Sequence, residues 1–365
     1  MIKTVFVVSL ITITFSSSAQ DVNLKSLPAN SKEIQYIGRY GVSAYDEVTF
    51  DWVGIYFSFN FEGDNCRFIA SDTGESYYNV FLNGKLHKII HISGMDSSYV
   101  LVDNLQKGKI HHVKVQKRSE GEFGTTTIKK FIIPKAARLL PILEPQKRFI
   151  EFIGDSHTVG YGTDGNSKEE PFKVETENPD KTYASIISRY FNADYALIAH
   201  SGRGAIKNYG DSVTVSANTM KEKMMYQYNM DTSLMYKFDR YKPDLVIINL
   251  GTNDFSVQPY PSKEEFLCGY DRIVKQIKAN YRGVRILCMV PKVNKEIGDY
   301  LKDYVAELGD STIICTPSLF GVYNDNEDSG AAYHPGFSAN KKIASFIIPY
   351  IATFMNWQLE QKIIE

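Results

Sequence analysis

The sequence predicts two domains of different class: an N-terminal antiparallel β-sandwich, jelly-roll-like, followed by an α/β domain built on a doubly wound parallel sheet. Three observations carry this. From about residue 35 to 135 apolar residues alternate with polar ones over short runs. From Arg148 onward, apolar strand-like runs alternate with helical ones. Between the two textures, Pro134, Pro141 and Pro145 mark a connector. The boundaries drawn are 1–19 for a targeting segment, 20–143 for the sandwich and 144–365 for the α/β domain.

In the first domain Ile55, Phe57, Phe59 and Phe61 alternate with Tyr56, Ser58 and Asn60, and Tyr78, Val80 and Leu82 repeat the pattern. Asn83-Gly84 then supplies a hairpin turn. Glycine-containing breaks at Gly63, Gly74, Gly94, Gly108 and Gly121 separate the runs, a spacing that suits a sandwich. In the second domain Phe149–Ile153, Tyr195–Ala199, Leu245–Leu250, Val284–Val290 and Thr312–Cys315 read as strands. The third is continuously apolar, as a strand covered on both faces must be. Helices are expected over Lys181–Asn192, after a capping box of Ser262 and Glu265, over a run bearing Ile297, Leu301 and Leu308, and from Ser338 to Phe354.

The bulk numbers bound the chemistry. The 365 residues carry a net charge of -1, which gives no basic field for nucleic acid or an anionic membrane. Lys3, the apolar run Val5–Phe15 and the small residues Ser17-Ser18-Ala19 read as a signal peptide, so a periplasmic or secreted protein is expected. That run is too short to span a bilayer comfortably, and no other stretch reaches that length. Cys66, Cys268, Cys288 and Cys315 are expected to be mostly free, buried thiols; none has metal-ligand spacing to another. No metal or cofactor is expected.

Sites in open α/β sheets gather at the carboxyl ends of the strands. Gly154-Asp155-Ser156 follows the first strand there, His200-Ser201-Gly202-Arg203-Gly204 the second, and Gly251-Thr252-Asn253-Asp254 the third. Tyr333-His334-Pro335 precedes the last helix. A serine, a glycine amide, an asparagine amide and a histidine are the parts of a serine acyl-transfer site. The hydroxyl needs a base to take its proton, and the tetrahedral oxyanion needs fixed donors.

These blocks, GDSHTVGYG, SGRG, GTND and YHP, resemble in kind and order those of the SGNH (GDSL-type) hydrolases, over roughly residues 149 to 336. The leading sandwich with GRYG, FDWVGIYFSFNFEG, LNGK and HHVKVQKRSE, joined directly to FIEFIGDSHTVGYG, together with SGRGAIKNYGD, most resembles carbohydrate esterase family 2, over about residues 33 to 355. That resemblance implies a jelly roll before an SGNH domain and metal-free removal of acetyl groups from an acetylated glycan such as xylan or glucomannan. By the same resemblance Ser156 matches the nucleophile and His334 the base. Ser156, Gly202 and Asn253 match the oxyanion donors.

One departure stands out. SGNH enzymes usually place an Asp shortly before the histidine, where this chain has Ala331 and Ala332. Asp328 and Glu327 lie further back. The expectation is a Ser156–His334 dyad whose imidazole is oriented by a backbone carbonyl, with Asp328 or Glu327 as the alternative. Arg203, Tyr161, Tyr260 and Phe337 flank these segments and are candidates for substrate contact. His157 is the wrong neighbour to serve as base, since adjacent side chains rarely meet usefully. A lipase- or thioesterase-like hydrolase on the same scaffold, or a non-catalytic glycan-binding protein, are the rival readings. The sandwich either binds glycan or walls the cleft. Oligomeric state is not encoded legibly.

Overall fold

The computed structural model describes residues 23–361 except 145, and residue 364; the targeting segment lies outside the described residues. The first domain consists of twelve strands: β1 (Leu24–Pro28), β2 (Gln35–Ile37), β3 (Gly41–Val42), β4 (Val48–Phe50), β5 (Tyr56–Glu62), β6 (Cys66–Asp72), β7 (Glu75–Leu82), β8 (Lys85–Ser93), β9 (Ser97–Val102), β10 (Ile110–Lys117), β11 (Thr126–Pro134) and β12 (Arg138–Leu140). They form two antiparallel sheets. One runs β3-β4-β11-β6-β9 with β1 against β11; the other runs β12-β5-β10-β7-β8 with β2 against β5. Between them Phe57, Phe59, Phe61, Phe68 and Phe131 form the core. Asn83 and Gly84 turn β7 into β8, both with positive φ, as a two-residue hairpin requires.

Tyr56 and Ser58 are buried as well, against the simple alternation expected of them. The cause is the second domain, which covers the outer face of that sheet. Tyr56 joins the α/β core, and its hydroxyl donates to Asp194 at 2.6 Å.

The second domain holds β13 (Arg148–Gly154), β14 (Ala193–Ala199), β15 (Leu245–Asn249), β16 (Arg285–Val290) and β17 (Ile313–Ser318), all parallel, in the order β14-β13-β15-β16-β17. The chain begins in β13, steps out to β14 and returns to β15 on the other side. This reversal opens the crevice beyond the strand ends. Its helices are α1 (Ser156–Val159), α2 (Tyr183–Tyr190), α3 (Met220–Lys223), α4 (Lys263–Asn280), α5 (Glu296–Leu308) and α6 (Phe337–Met355). The apolar faces of α2 and α6 pack on one side of the sheet, those of α4 and α5 on the other. The Ser262–Glu265 capping box begins α4: the serine hydroxyl accepts from the Glu265 amide at 3.1 Å, and the Glu265 carboxylate from the Ser262 amide at 2.8 Å. The helix expected over 181–192 is shorter, because Pro179–Lys181 forms a 3-10 turn ahead of α2. All four cysteines are free. Cys66 and Cys288 are buried and Cys315 partly so, but Cys268 lies exposed on the outer face of α4. Among the described residues no helix is long and apolar enough to cross a membrane.

Buried polar contacts weld the domains together. Arg39, in the GRYG turn after β2, is wholly enclosed by the second domain. It donates to the carbonyls of Met224 and Tyr226 at 2.7 and 2.9 Å and lies 3.6 Å from the Glu151 carboxylate on β13. Tyr241 and Tyr281 complete that carboxylate's partners at 2.6 and 2.9 Å. Removing one member of a buried pair leaves the other charge uncompensated. Arg39→Ala is therefore expected to cost about 3–5 kcal/mol in denaturant unfolding, and Arg39→Met combined with Glu151→Gln less. Equal losses in the two variants would contradict this account.

Candidate active site

Three strand ends and one loop converge in a cleft of about 680 Å³. β13 ends at Gly154, and Asp155 turns the chain by capping α1, its carboxylate accepting from the His157 amide at 3.0 Å. Ser156 is thereby presented as the first residue of α1. Gly160 closes that single turn at φ +85, in the left-handed region a glycine occupies without cost. Asp155 is fully buried, and burial pushes its carboxyl up to about 7. Besides capping α1 through Oδ1, it accepts through Oδ2 from the Asn253 side-chain amide at 3.5 Å.

The serine hydroxyl lies 2.9 Å from Nε2 of His334. Nδ1 of that ring donates to the carbonyl of Ala332 at 2.6 Å. This bond fixes the tautomer and leaves the Nε2 lone pair for the serine. Asp328 is engaged elsewhere: its carboxylate accepts from Lys342 at 2.6 Å and from the Asn324 amide at 2.8 Å. Glu327 is exposed on the surface.

A carbonyl two residues before the histidine reaches back to its ring only because the backbone is bent sharply. Ala332 (φ +51) and Tyr333 (φ +59) both occupy the left-handed region, where a side chain other than glycine's is strained. Such residues persist when their surroundings over-determine them, at about 1–3 kcal/mol each. Here the loop after α1 supplies the restraint. The amides of Ala331, Ala332 and Tyr333 donate in turn to the carbonyls of Gly162, Glu170 and Lys168, at 2.8, 2.8 and 3.1 Å.

The remaining strand ends bring donors. Gly202 follows β14 at φ +74, and a Cβ there would meet Tyr209 at an ordinary 3.9 Å, so its conformation rather than crowding calls for glycine. Among the described residues the amides of Ser156 and Gly202 donate to no other protein group. Asn253 follows β15 and lines the cleft, and its side-chain amide donates to the carbonyl of Arg203 at 2.9 Å and to the Asp155 carboxylate at 3.5 Å. The next residue, Asp254, binds the glycine segment to the asparagine segment by accepting from the amides of Ala205, Ile206 and Lys207 at 3.0, 2.8 and 2.9 Å. Sequence reading passed over it, although it completes the GTND string.

The cleft lining also comprises Tyr161, Phe172, Ser201, Tyr209, Ser256 and Tyr333, and, from the sandwich, Glu120, Glu122 and Phe123. Tyr161 stacks on Phe172 at 3.7 Å and tilts against the His334 ring at 4.6 Å; Phe123 also stacks on Phe172, at 5.6 Å. Of the other expected contacts, Arg203 meets the site through its backbone. Tyr260 packs near Phe255, and Phe337 lies in a separate depression beneath the cations of Lys181 and Lys341. None of these three lines the cleft. His157 does line it, with its ring 5.8 Å from that of His334 and no bond to Ser156. Among the described residues no group of three His, Cys, Asp or Glu side chains is arranged to hold a metal ion.

A serine paired to a histidine at the switch point of a parallel sheet, facing free backbone donors, defines a hydrolase of the GDSL type. Family models agree: that of the carbohydrate esterase 2 N-terminal domain matches residues 36–142, and that of the GDSL-like lipase/acylhydrolase family matches residues 152–324. The chain thus carries a carbohydrate esterase 2 N-terminal domain and a GDSL-like lipase/acylhydrolase domain, and its relatives and structural neighbours are carbohydrate esterases of family 2, a family of carboxylic ester hydrolases. A cellulase/esterase of Acetivibrio thermocellus is 30% identical over 331 residues, 89% of this chain but 40% of that protein. The chain thus spans less than half of that relative's length. An acetylxylan esterase/glucomannan deacetylase of Cellvibrio japonicus is 28% identical, over 83% of this chain and 85% of that one. The solved structure of a family two carbohydrate esterase from Clostridium thermocellum in complex with cellohexaose superimposes with a TM-score of 0.81 at 28% identity, covering 89% of this chain and all of that one.

Burial, and then the neighbouring His157, push the His334 imidazole down to about 4. Its folded pKa thus lies below the unfolded value near 6.5. As pH falls from about 6.5 towards 4 the unfolded chain takes up a proton that the folded one refuses. The stability contributed by this group is intact above that window and lost as pH drops through it. An NMR titration of the ring should show it neutral at pH 5. A midpoint near 6.5 would contradict the burial argument.

Proposed function

We propose that the chain is an exported serine esterase that removes O-acetyl groups from polysaccharide or oligosaccharide of the xylan or glucomannan type. The observation that carries this is the Ser156–His334 hydrogen bond, set beside two free backbone amides and the Asn253 side chain. The similarity to family 2 carbohydrate esterases directs that chemistry to sugar acetates, and the acetylxylan esterase/glucomannan deacetylase supports the choice. Export rests on the basic and apolar pattern of residues 1–19.

In this reading His334 Nε2 takes the Ser156 proton as Oγ attacks the acetyl carbonyl. The oxyanion settles on the amides of Ser156 and Gly202 and on Asn253 Nδ2. His334 then protonates the departing sugar oxygen and leaves an acetyl-enzyme. A water, deprotonated by the same ring, releases acetate. The Ala332 carbonyl does the orienting work that a carboxylate performs in a triad, without a charge to stabilise the imidazolium.

Acetate release from acetylated xylan and glucomannan, measured beside hydrolysis of a long-chain ester, tests the assignment. Ser156→Ala should abolish turnover, and turnover that survives it would exclude this mechanism. Asn253→Ala should lower kcat by about a hundredfold or more with the fold intact. Asp328→Asn should leave kcat within about threefold, because this carboxylate bonds Lys342 and the Asn324 amide rather than the His334 ring. A loss matching that of His334→Ala would return the carboxylate to the mechanism.

A further inference from the structure

The sandwich enters the catalytic cleft through the turn that links β10 to β11, and every residue at the base of that turn is tied down. Lys117 is buried and donates from Nζ to Ser76 Oγ at 3.0 Å, to the Ser119 carbonyl at 2.8 Å and to the Glu120 carbonyl at 3.3 Å. Arg118 is equally buried. Its guanidinium donates to Asp164 at 2.7 Å and to the carbonyls of Glu175 and Glu177 at 2.8 and 3.0 Å. Lys117 thus holds the carbonyls on both sides of the position from which Glu120 projects, and Arg118 ties the base of the turn to the second domain.

Glu120 has no exposed surface, and its Oε2 accepts from the amide of Ser201 at 2.7 Å. Ser201 immediately precedes Gly202. Other bonds hold this segment from within the α/β domain. The His200 amide donates to the Gly154 carbonyl at 3.2 Å, the Tyr209 amide to the Gly202 carbonyl at 2.8 Å, and Asn253 to the Arg203 carbonyl at 2.9 Å. Glu120 holds the Ser201 amide, one peptide ahead of the Gly202 N–H. Burying a carboxylate is expensive: desolvation pushes this one up to about 7, with the bonds from Ser201 opposing the rise. A loop that only covered the site would not need an acid there.

We propose that Glu120 is a positioning residue of the oxyanion hole: by anchoring the Ser201 amide it fixes the peptide plane whose Gly202 N–H faces the acyl oxygen. The sandwich is on this account part of the catalytic apparatus rather than an appended module. The proposal rests on the serine-esterase reading given above. What Glu120 must supply is an acceptor at a fixed place, and its charge is incidental. Glu120→Gln keeps an oxygen there, Glu120→Met fills the same space without one, and Glu120→Asp withdraws it by one methylene.

The test measures kcat and KM of the full chain on 4-nitrophenyl acetate, with thermal melts to confirm folding. Glu120→Met should lose roughly ten- to a hundredfold in kcat, the range of a misplaced oxyanion donor, with KM within about twofold. Glu120→Gln should stay within about threefold of the parent in kcat, because the acceptor survives. If the Met variant fails to fold, Glu120→Asp carries the comparison and should lose kcat at unchanged KM. Parent-like kcat in the folded Met or Asp variant overturns the proposal. So does a Gln variant as impaired as Met, since that would assign the role to the charge. If the unsubstituted protein turns over no acetyl ester, it is the esterase reading that has failed. The same comparison is then read from the rate at which Ser156 is phosphonylated by a fluorophosphonate, which needs the oxyanion site but no acetyl group.

Discussion

The site depends on one hydrogen bond, from Nδ1 of His334 to the carbonyl of Ala332. A histidine that flips or swaps tautomer presents the wrong atom to Ser156. With no carboxylate on the ring, a main-chain oxygen must prevent this. That oxygen reaches the ring only if Ala332 and Tyr333 take left-handed conformations, and those are held by the carbonyls of residues 162–170. The loop following the serine therefore determines the orientation of the histidine. Two segments far apart in the chain become one mechanical unit, and the architecture around them keeps that unit from relaxing.

The second constraint is the interface between the domains. A sandwich tethered through a flexible linker could move independently, whereas this one buries Arg39, Arg118 and Glu120 against its neighbour. Buried charges tolerate little displacement, since a small shift strands them without partners. The same contacts that fix the sandwich thus fix the cleft wall formed by Glu120, Glu122 and Phe123. The GRYG and HHVKVQKRSE strings then have a physical reading. The first carries the arginine that reaches Glu151, and the second ends in the clamped turn that enters the site.

How much of this was legible varies with the distance over which each interaction acts. Ser156, Gly202 and Asn253 could be found because strand ends are visible as the limits of apolar runs, and topology brings strand ends together. Ala331 and Ala332 showed by their identity that no carboxylate stood close before His334. The opposing role of residues 162–170 left no trace, because backbone carbonyls look alike in any sequence. Glu120, Phe123 and Phe172 escaped for a related reason: they reach the cleft from turns and loops whose path depends on the docking of the domains. Tyr260 and Phe337 were attractive for their nearness in sequence to the site, yet their rings pack elsewhere. Proximity along the chain says little about where an aromatic ring points.

These features interact in the energetics of the acyl-transfer step proposed for this site. A ring held near a pKa of 4 is neutral, and so competent to accept a proton, across the mildly acidic range. The same low value means that the imidazolium formed during attack is poorly stabilised, and no carboxylate compensates it. The tetrahedral state must therefore draw more of its stabilisation from the other side, where the oxyanion meets its donors. This raises the value of keeping those donors rigid. It accounts for a glycine segment bonded to β13, to Asn253, to Asp254 and to a buried acid from the sandwich. Loss of a charge beside the histidine and over-determination of the oxyanion loop are then two sides of one electrostatic balance.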